Sequence, residues 1–154
     1  MLAENTVLTG RRAITRSYAK INLTLDVLSK RENGYHDIKM IMQTVSLFDL
    51  ILVDKTHRGI SISTNLPYLP CNEKNIAYKA ADAFFKATGI RGGAKIVIHK
   101  NIPVAAGLAG GSGNCAAVLT AINMLHGNPL SNDELMHIGA DCGCCTEYKW
   151  YSIR

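Results

Sequence analysis

The chain has 154 residues, 47% of them hydrophobic, a profile of one globular α+β domain or a piece of a larger protein that excludes a disordered tract. No run approaches the roughly 18 apolar residues of a membrane span, and residues 1–16 lack the apolar block of a secretory signal, so a cytoplasmic setting is expected. The net charge of +5 is spread evenly, with nine Lys/Arg against six Asp/Glu in residues 1–60 and eight against six in residues 61–154; without interleaved aromatics this argues against nucleic acid and suits an anionic small substrate.

The first patterned segment is 18–28, where Ala19, Ile21, Leu23, Leu25 and Val27 alternate with polar residues as in a half-buried strand. That period puts Lys20 and Asn22 side by side on the face opposite the aliphatic set. Asn33-Gly34 signals a turn, after which 35–47 reads as a returning strand; 49–53 and 59–63 read as two further strands that complete an antiparallel opening section. The spacing of Ile76, Ala77, Ala80, Ala81, Phe84 and Phe85 predicts a helix over 75–88, with Gly89 as its C-terminal cap. Residues 94–99 return to alternation and lead into a loop of small residues, beyond which a helix is expected from Ser112 or Gly113 to about Gly127. Ser131 and Glu134 form a capping box that opens another helix, running through about Gly139.

The loop from Pro103 through Val104, Ala105, Ala106, Gly107, Leu108, Ala109, Gly110, Gly111, Ser112 and Gly113 to Asn114 lies between a strand and a helix. Small side chains let backbone N–H groups wrap an anion, and a following helix adds the partial positive charge of its N-terminus. Neither G-x-x-x-x-G-K-S/T nor G-x-G-x-x-G is present, which disfavours an ordinary P-loop and a Rossmann site. Glycines alone would also serve a tight turn with close packing. Asn75 and Ser112 would each suit a helix N-cap.

In this order and combination, Tyr18-Ala19-Lys20-Ile21-Asn22, Asn33-Gly34-Tyr35-His36, Met42-Gln43-Thr44, Asn75 with Ala80-Ala81, and Pro103 to Asn114 resemble the 4-diphosphocytidyl-2-C-methyl-D-erythritol kinase family. That family belongs to the superfamily of galactokinase, homoserine kinase, mevalonate kinase and phosphomevalonate kinase. The resemblance runs from about Tyr18 to Gly143. It implies an N-terminal kinase domain like ribosomal protein S5 domain 2, here over residues 17–143 after an extension of 1–16 and before an aberrant tail of 144–154. The implied reaction is ATP-dependent phosphorylation of the 2-hydroxyl of a cytidine-diphosphate-linked methylerythritol. The implied roles are Lys20 at the reacting hydroxyl and Asn22, Tyr35 and His36 on the substrate. ATP would lie on Asn75 and Pro103 to Gly113, with Mg2+ near Ser112.

The pattern breaks near the end. The family's next motif carries an aspartate as presumed base, and the alignment puts Cys145 there; Asp141 lies one helical turn earlier, about 5 Å away, too far to substitute. Gly113 stands where the family usually has a second serine, which should weaken phosphate or metal contacts. The family's second, ferredoxin-like domain is missing, so impaired turnover, exposed sheet edges and self-association are expected, and a frameshift, premature stop or gene-model error after Gly143 would explain the tail. Alternatives are a non-catalytic nucleotide-binding fragment or, less well supported, a basic nucleic-acid-binding domain. Five cysteines with the cluster Cys142, Cys144, Cys145 make no disulfide framework, so reduced thiols are expected, and with His137 they do not match a zinc knuckle.

Overall fold

The computed structural model describes residues 3–30 and 36–143. After a 3-10 turn (Ala3–Asn5) the chain forms β1 (Thr6–Thr9), β2 (Arg12–Lys30), β3 (His36–Thr56), β4 (Gly59–Thr64), α1 (Ile76–Thr88), β5 (Gly93–His99), α2 (Gly110–Leu125) and α3 (Asn132–Asp141). The strands make one sheet in the order β1-β2-β3-β5-β4.

Two expectations are corrected by the topology. The strands expected over 35–47 and 49–53 are one strand, β3. Asp49 does not end it, because the carboxylate is hydrogen-bonded inside the protein while Ile51 and Val53 keep the same buried face. The segment over 59–63 does not close an antiparallel section: among the described strands β4 pairs with β5 alone, in parallel, from Gly59 opposite Gly93 to Thr64 opposite Ile98. The reason is the intervening α1, which carries the chain back across the sheet in a crossover, the connection parallel neighbours require.

The helices cover one face of the sheet. Ile51, Val53 and Ile96 meet Ala80, Ala81 and Phe84 of α1 and Ala117, Val118 and Ile122 of α2 in one core. Helix α1 forms as read: the Asn75 side chain accepts from the Ala77 amide at 3.0 Å, and Gly89, at φ 65°, donates its N–H to the Phe85 carbonyl. The capping box of α3 also forms, with Ser131 N–H donating to Glu134 at 2.8 Å, and that bond is the largest cause holding the Glu134 carboxyl below its usual range. Cys115 is buried in α2, and Cys71 and Cys142 are free thiols.

The helical layer covers β2 only as far as Ala19. Ala13, Thr15, Ser17 and Ala19 are buried, but Leu23, Leu25 and Val27 are 58%, 49% and 61% exposed. The apolar alternation beyond Lys20 is thus real in the sequence and unburied in the described residues. No described helix is long and apolar enough to cross a membrane.

His126 caps the C-terminus of α2 and packs against Phe84 and Phe85 at centroid distances of 5.9 and 5.6 Å. Burial, then the nearby Lys55 ammonium, pushes its pKa down. The unfolded chain therefore binds this proton more readily, and the His126 contribution to stability is present above about pH 6.5 and lost as pH falls through the folded value. Urea midpoints between pH 7.5 and 5.5 are expected to fall less steeply in His126→Gln than in the wild type; equal slopes would contradict this.

Candidate functional site

The site begins at an irregularity in the β2–β3 ladder. Tyr18 pairs with Phe48 and Lys20 with Thr44, so Ala19 faces Val45, Ser46 and Leu47 of β3. Such a bulge interrupts pairing and re-aims nearby groups. The Lys20 amide turns to the glycine-rich loop and donates to the Leu108 carbonyl at 3.1 Å. Its ammonium donates to Asn22 Oδ1 at 3.1 Å, which places the two side chains together on one face as the alternation predicted.

The loop itself is built from backbone conformations that side chains rarely adopt. Ala105, Gly107 and Ala109 have φ of 59°, 71° and 61°, and the two alanines pay a steric cost that glycine would avoid. Helix α2 starts at Gly110, earlier than the sequence reading, because glycine and serine continue the helical path once Ala109 has turned the chain. Ala109 is the N-cap and gives no side-chain hydrogen bond, while Ser112 lies inside the first turn. The first turn of an α-helix presents amide donors without intrahelical acceptors, and its dipole favours an anion there.

Loop and helix wall a cleft of about 450 Å³. Pro103 through Ser112 line it, with Asn114, Asn75, Lys74 and Lys100. Asn75 thus caps α1 and lines the cleft at once; its Nδ2 donates to the Pro70 carbonyl at 2.8 Å, which fixes the side chain from both ends. Gly113 does not line the cleft, since a Cβ there would point away from it, 2.5 Å from Ser17 Oγ. His36 is exposed and paired with Lys30 at the far end of the hairpin. It stands eight residues along β3 from Thr44, the partner of Lys20, or roughly 26 Å at the usual strand rise. Tyr35 and Cys145 lie outside the described residues. Among the described residues, no cluster of three His, Cys, Asp or Glu side chains could hold a metal.

Sequence reasoning missed a buried polar layer beneath the loop. Asp49 and Lys100 form an ion pair with side-chain exposures of 0% and 6%. Among the described residues, the buried Ser17 hydroxyl, opposite Asp49 in the ladder, and the buried Asn114 amide oxygen Oδ1 have no hydrogen-bond partner. The usable signal was Asp49 within Leu47-Phe48-Asp49-Leu50-Ile51, because a carboxylate in a buried apolar run needs a cation or amide donors.

The family model for the GHMP kinases N terminal domain matches residues 75–149. A 4-diphosphocytidyl-2-C-methyl-D-erythritol kinase from Clostridium botulinum (strain Alaska E43 / Type E3) is 47% identical over 133 residues, 86% of this chain and 48% of the relative. One from Caldicellulosiruptor saccharolyticus is 50% identical over 131 residues, 84% of this chain and 45% of the relative. A crystal structure of 4-(cytidine 5'-diphospho)-2C-methyl-D-erythritol kinase matches with a TM-score of 0.73 and 34% identity, over 84% of this chain and 46% of that one. The Methanococcus jannaschii mevalonate kinase, at 17% identity and a TM-score of 0.63 over 88% of this chain and 47% of its own, shares the fold. The chain spans about half the length of the curated relatives it matches.

The contact between Ser17 and Gly113 is directly testable. On helix propensity alone Gly113→Ala should stabilise by about 1 kcal/mol. Because the added Cβ must displace the Ser17 hydroxyl, the gain is expected to be lost in the wild type and recovered in a Ser17→Ala background. A double-mutant cycle by urea denaturation should give a coupling of at least about 0.5 kcal/mol, and additivity would contradict the contact.

Proposed function

We infer, from the premise that this chain belongs to the GHMP kinase family as a counterpart of the N-terminal half of its 4-diphosphocytidyl-2-C-methyl-D-erythritol kinases, that it holds the nucleotide-binding half of such an enzyme. The reaction is transfer of the γ-phosphoryl group of ATP to the 2-hydroxyl of 4-diphosphocytidyl-2-C-methyl-D-erythritol, a step of non-mevalonate isoprenoid precursor synthesis. The observation that carries this reading is the hydrogen bond from the Lys20 amide to the Leu108 carbonyl, which ties the strand bearing the ammonium to a loop suited to phosphate.

In this reading, Asn75 and residues Pro103 to Ser112 hold ATP, with the phosphates at the first turn of α2. Lys20 stands at the reacting hydroxyl, where a cation stabilises charge on the transferring group, and Asn22 orients the acceptor. Tyr35 and His36 belong to the cytidine end. Ser112, which lines the cleft, is the hard-oxygen donor that would hold Mg2+ beside the phosphates, whose oxygens would supply further ligands. When bound, the ion neutralises charge on the phosphates. The hydroxyl proton needs an acceptor as the oxygen attacks phosphorus and the bond to ADP breaks, and the position the family fills with aspartate carries Cys145 here. The chain is therefore proposed to bind ATP with turnover impaired or absent.

Titration calorimetry with ATP and Mg2+, followed by an ADP-release assay with the cytidine substrate, tests this. Gly111 lines the cleft, and the nearest atom to a Cβ there is Ile76 Cγ2 at 4.0 Å, so Gly111→Leu adds bulk to the cleft without striking the fold. It is expected to weaken ATP binding at least tenfold with a melting temperature no lower than that of the wild type. No binding by the wild type, or equal binding by the variant, would sink the assignment of the cleft; ordinary turnover would refute the impairment.

A further inference from the structure

We propose that Asp49 is a positioning residue for the nucleotide loop, fixing both of its ends through one buried carboxylate. The proposal rests on the assignment of ATP to the cleft above. At the entry, Asp49 Oδ1 accepts from the amides of Asn101 and Ile102, each at 2.8 Å. At the exit, Oδ2 accepts from the Lys100 ammonium, which reaches under the first residue of α2: a Cβ on Gly110 would lie 3.0 Å from Lys100 Nζ. Glycine at 110 leaves the room the ammonium occupies. The Lys100 backbone is itself clamped, its N–H donating to Asn65 Oδ1 at 2.7 Å and its carbonyl accepting from Asn65 Nδ2 at 3.1 Å. The segment entering the loop and the first turn of the helix leaving it are thus both referenced to a fully buried side chain on the central strand β3.

A carboxylate meeting an ammonium and two amides is a set of charge-assisted bonds, whose short, directional geometry sets position as well as energy. Removing only one charge would strand the other in a buried site, so the test removes both. Asp49→Leu/Lys100→Met deletes the pair and the amide acceptor. Asp49→Asn/Lys100→Met deletes the pair but keeps a neutral oxygen for the amides, as the conservative rescue.

Amide hydrogen exchange and ATP affinity in the presence of Mg2+ are measured on the full chain. The buried α1 residues Ala80, Ala81 and Phe84 report whether each variant is folded. The expected result is exchange at Asn101 and Ile102 at least tenfold faster in Asp49→Leu/Lys100→Met, with α1 unchanged and ATP affinity at least tenfold weaker. Asp49→Asn/Lys100→Met should recover most of the protection at 101 and 102 and bind ATP more tightly than Asp49→Leu/Lys100→Met, while staying severalfold weaker than the wild type because the exit contact and a cleft-lining cation are gone. Loop amides that exchange at the wild-type rate, or that accelerate only in step with α1, would overturn the proposal by reducing Asp49 to bulk stability. If Asp49→Leu/Lys100→Met does not fold, Asp49→Asn/Lys100→Met decides: protection kept at 101 and 102 with ATP affinity weakened severalfold supports the exit clamp, and unchanged affinity overturns it. Failure of the wild type to bind ATP would refute the assignment of the cleft and leave the exchange arm to decide on Asp49.

Discussion

A loop of glycines and alanines has no side chains with which to pack a core of its own, so its shape must be imposed from outside. Residues 103–109 are held at three places. Asp49 grips the approach at Asn101 and Ile102, the Lys20 amide takes the Leu108 carbonyl, and α2 receives the chain at Gly110. The left-handed alanines at 105 and 109 show that the anchoring is strong enough to hold backbone that alanine would not choose.

This constraint explains features that otherwise look unrelated. The bulge opposite Ala19 releases the Lys20 amide from the ladder, and the same residue carries the ammonium that the proposed reaction uses. Gly113 leaves the sheet side of α2 open for the Ser17 hydroxyl, so that helix and β2 approach closely just beneath the cleft. Helix α2 is packed between β2, β3 and α1, with Cys115, Val118 and Ile122 in the core, and its dipole is thereby aimed at the cleft by the same contacts that stabilise the fold. Phosphate recognition, in this account, comes from backbone geometry and helix placement rather than from a lysine within the loop.

What the sequence made legible was local. Asn75, Gly89, Ser131 and Glu134 act within a turn of where they stand, and their caps form as read. The small-residue loop was legible because few other uses explain so many glycines between strand and helix. Features that depend on distant partners were not legible. The continuity of β3 rests on donors some fifty residues away in sequence from Asp49, and the parallel placement of β4 rests on the crossover through α1. The start of α2 was misplaced because two glycines read as loop although a helix accepts them. The apolar alternation beyond Lys20 was read correctly as a strand but wrongly as half-buried, since periodicity reports which residues share a face and not whether anything covers it.

The central claim is that this chain carries an assembled nucleotide site between α1, the glycine-rich loop and α2. Chemical-shift mapping of the 15N-labelled chain on addition of a non-hydrolysable ATP analogue with Mg2+ tests it most directly. Shifts are expected to concentrate at Asn75, at residues 104–112 and at Lys20, with β1 and α3 unmoved. Shifts scattered over the basic surface, or none at saturating analogue, would contradict it.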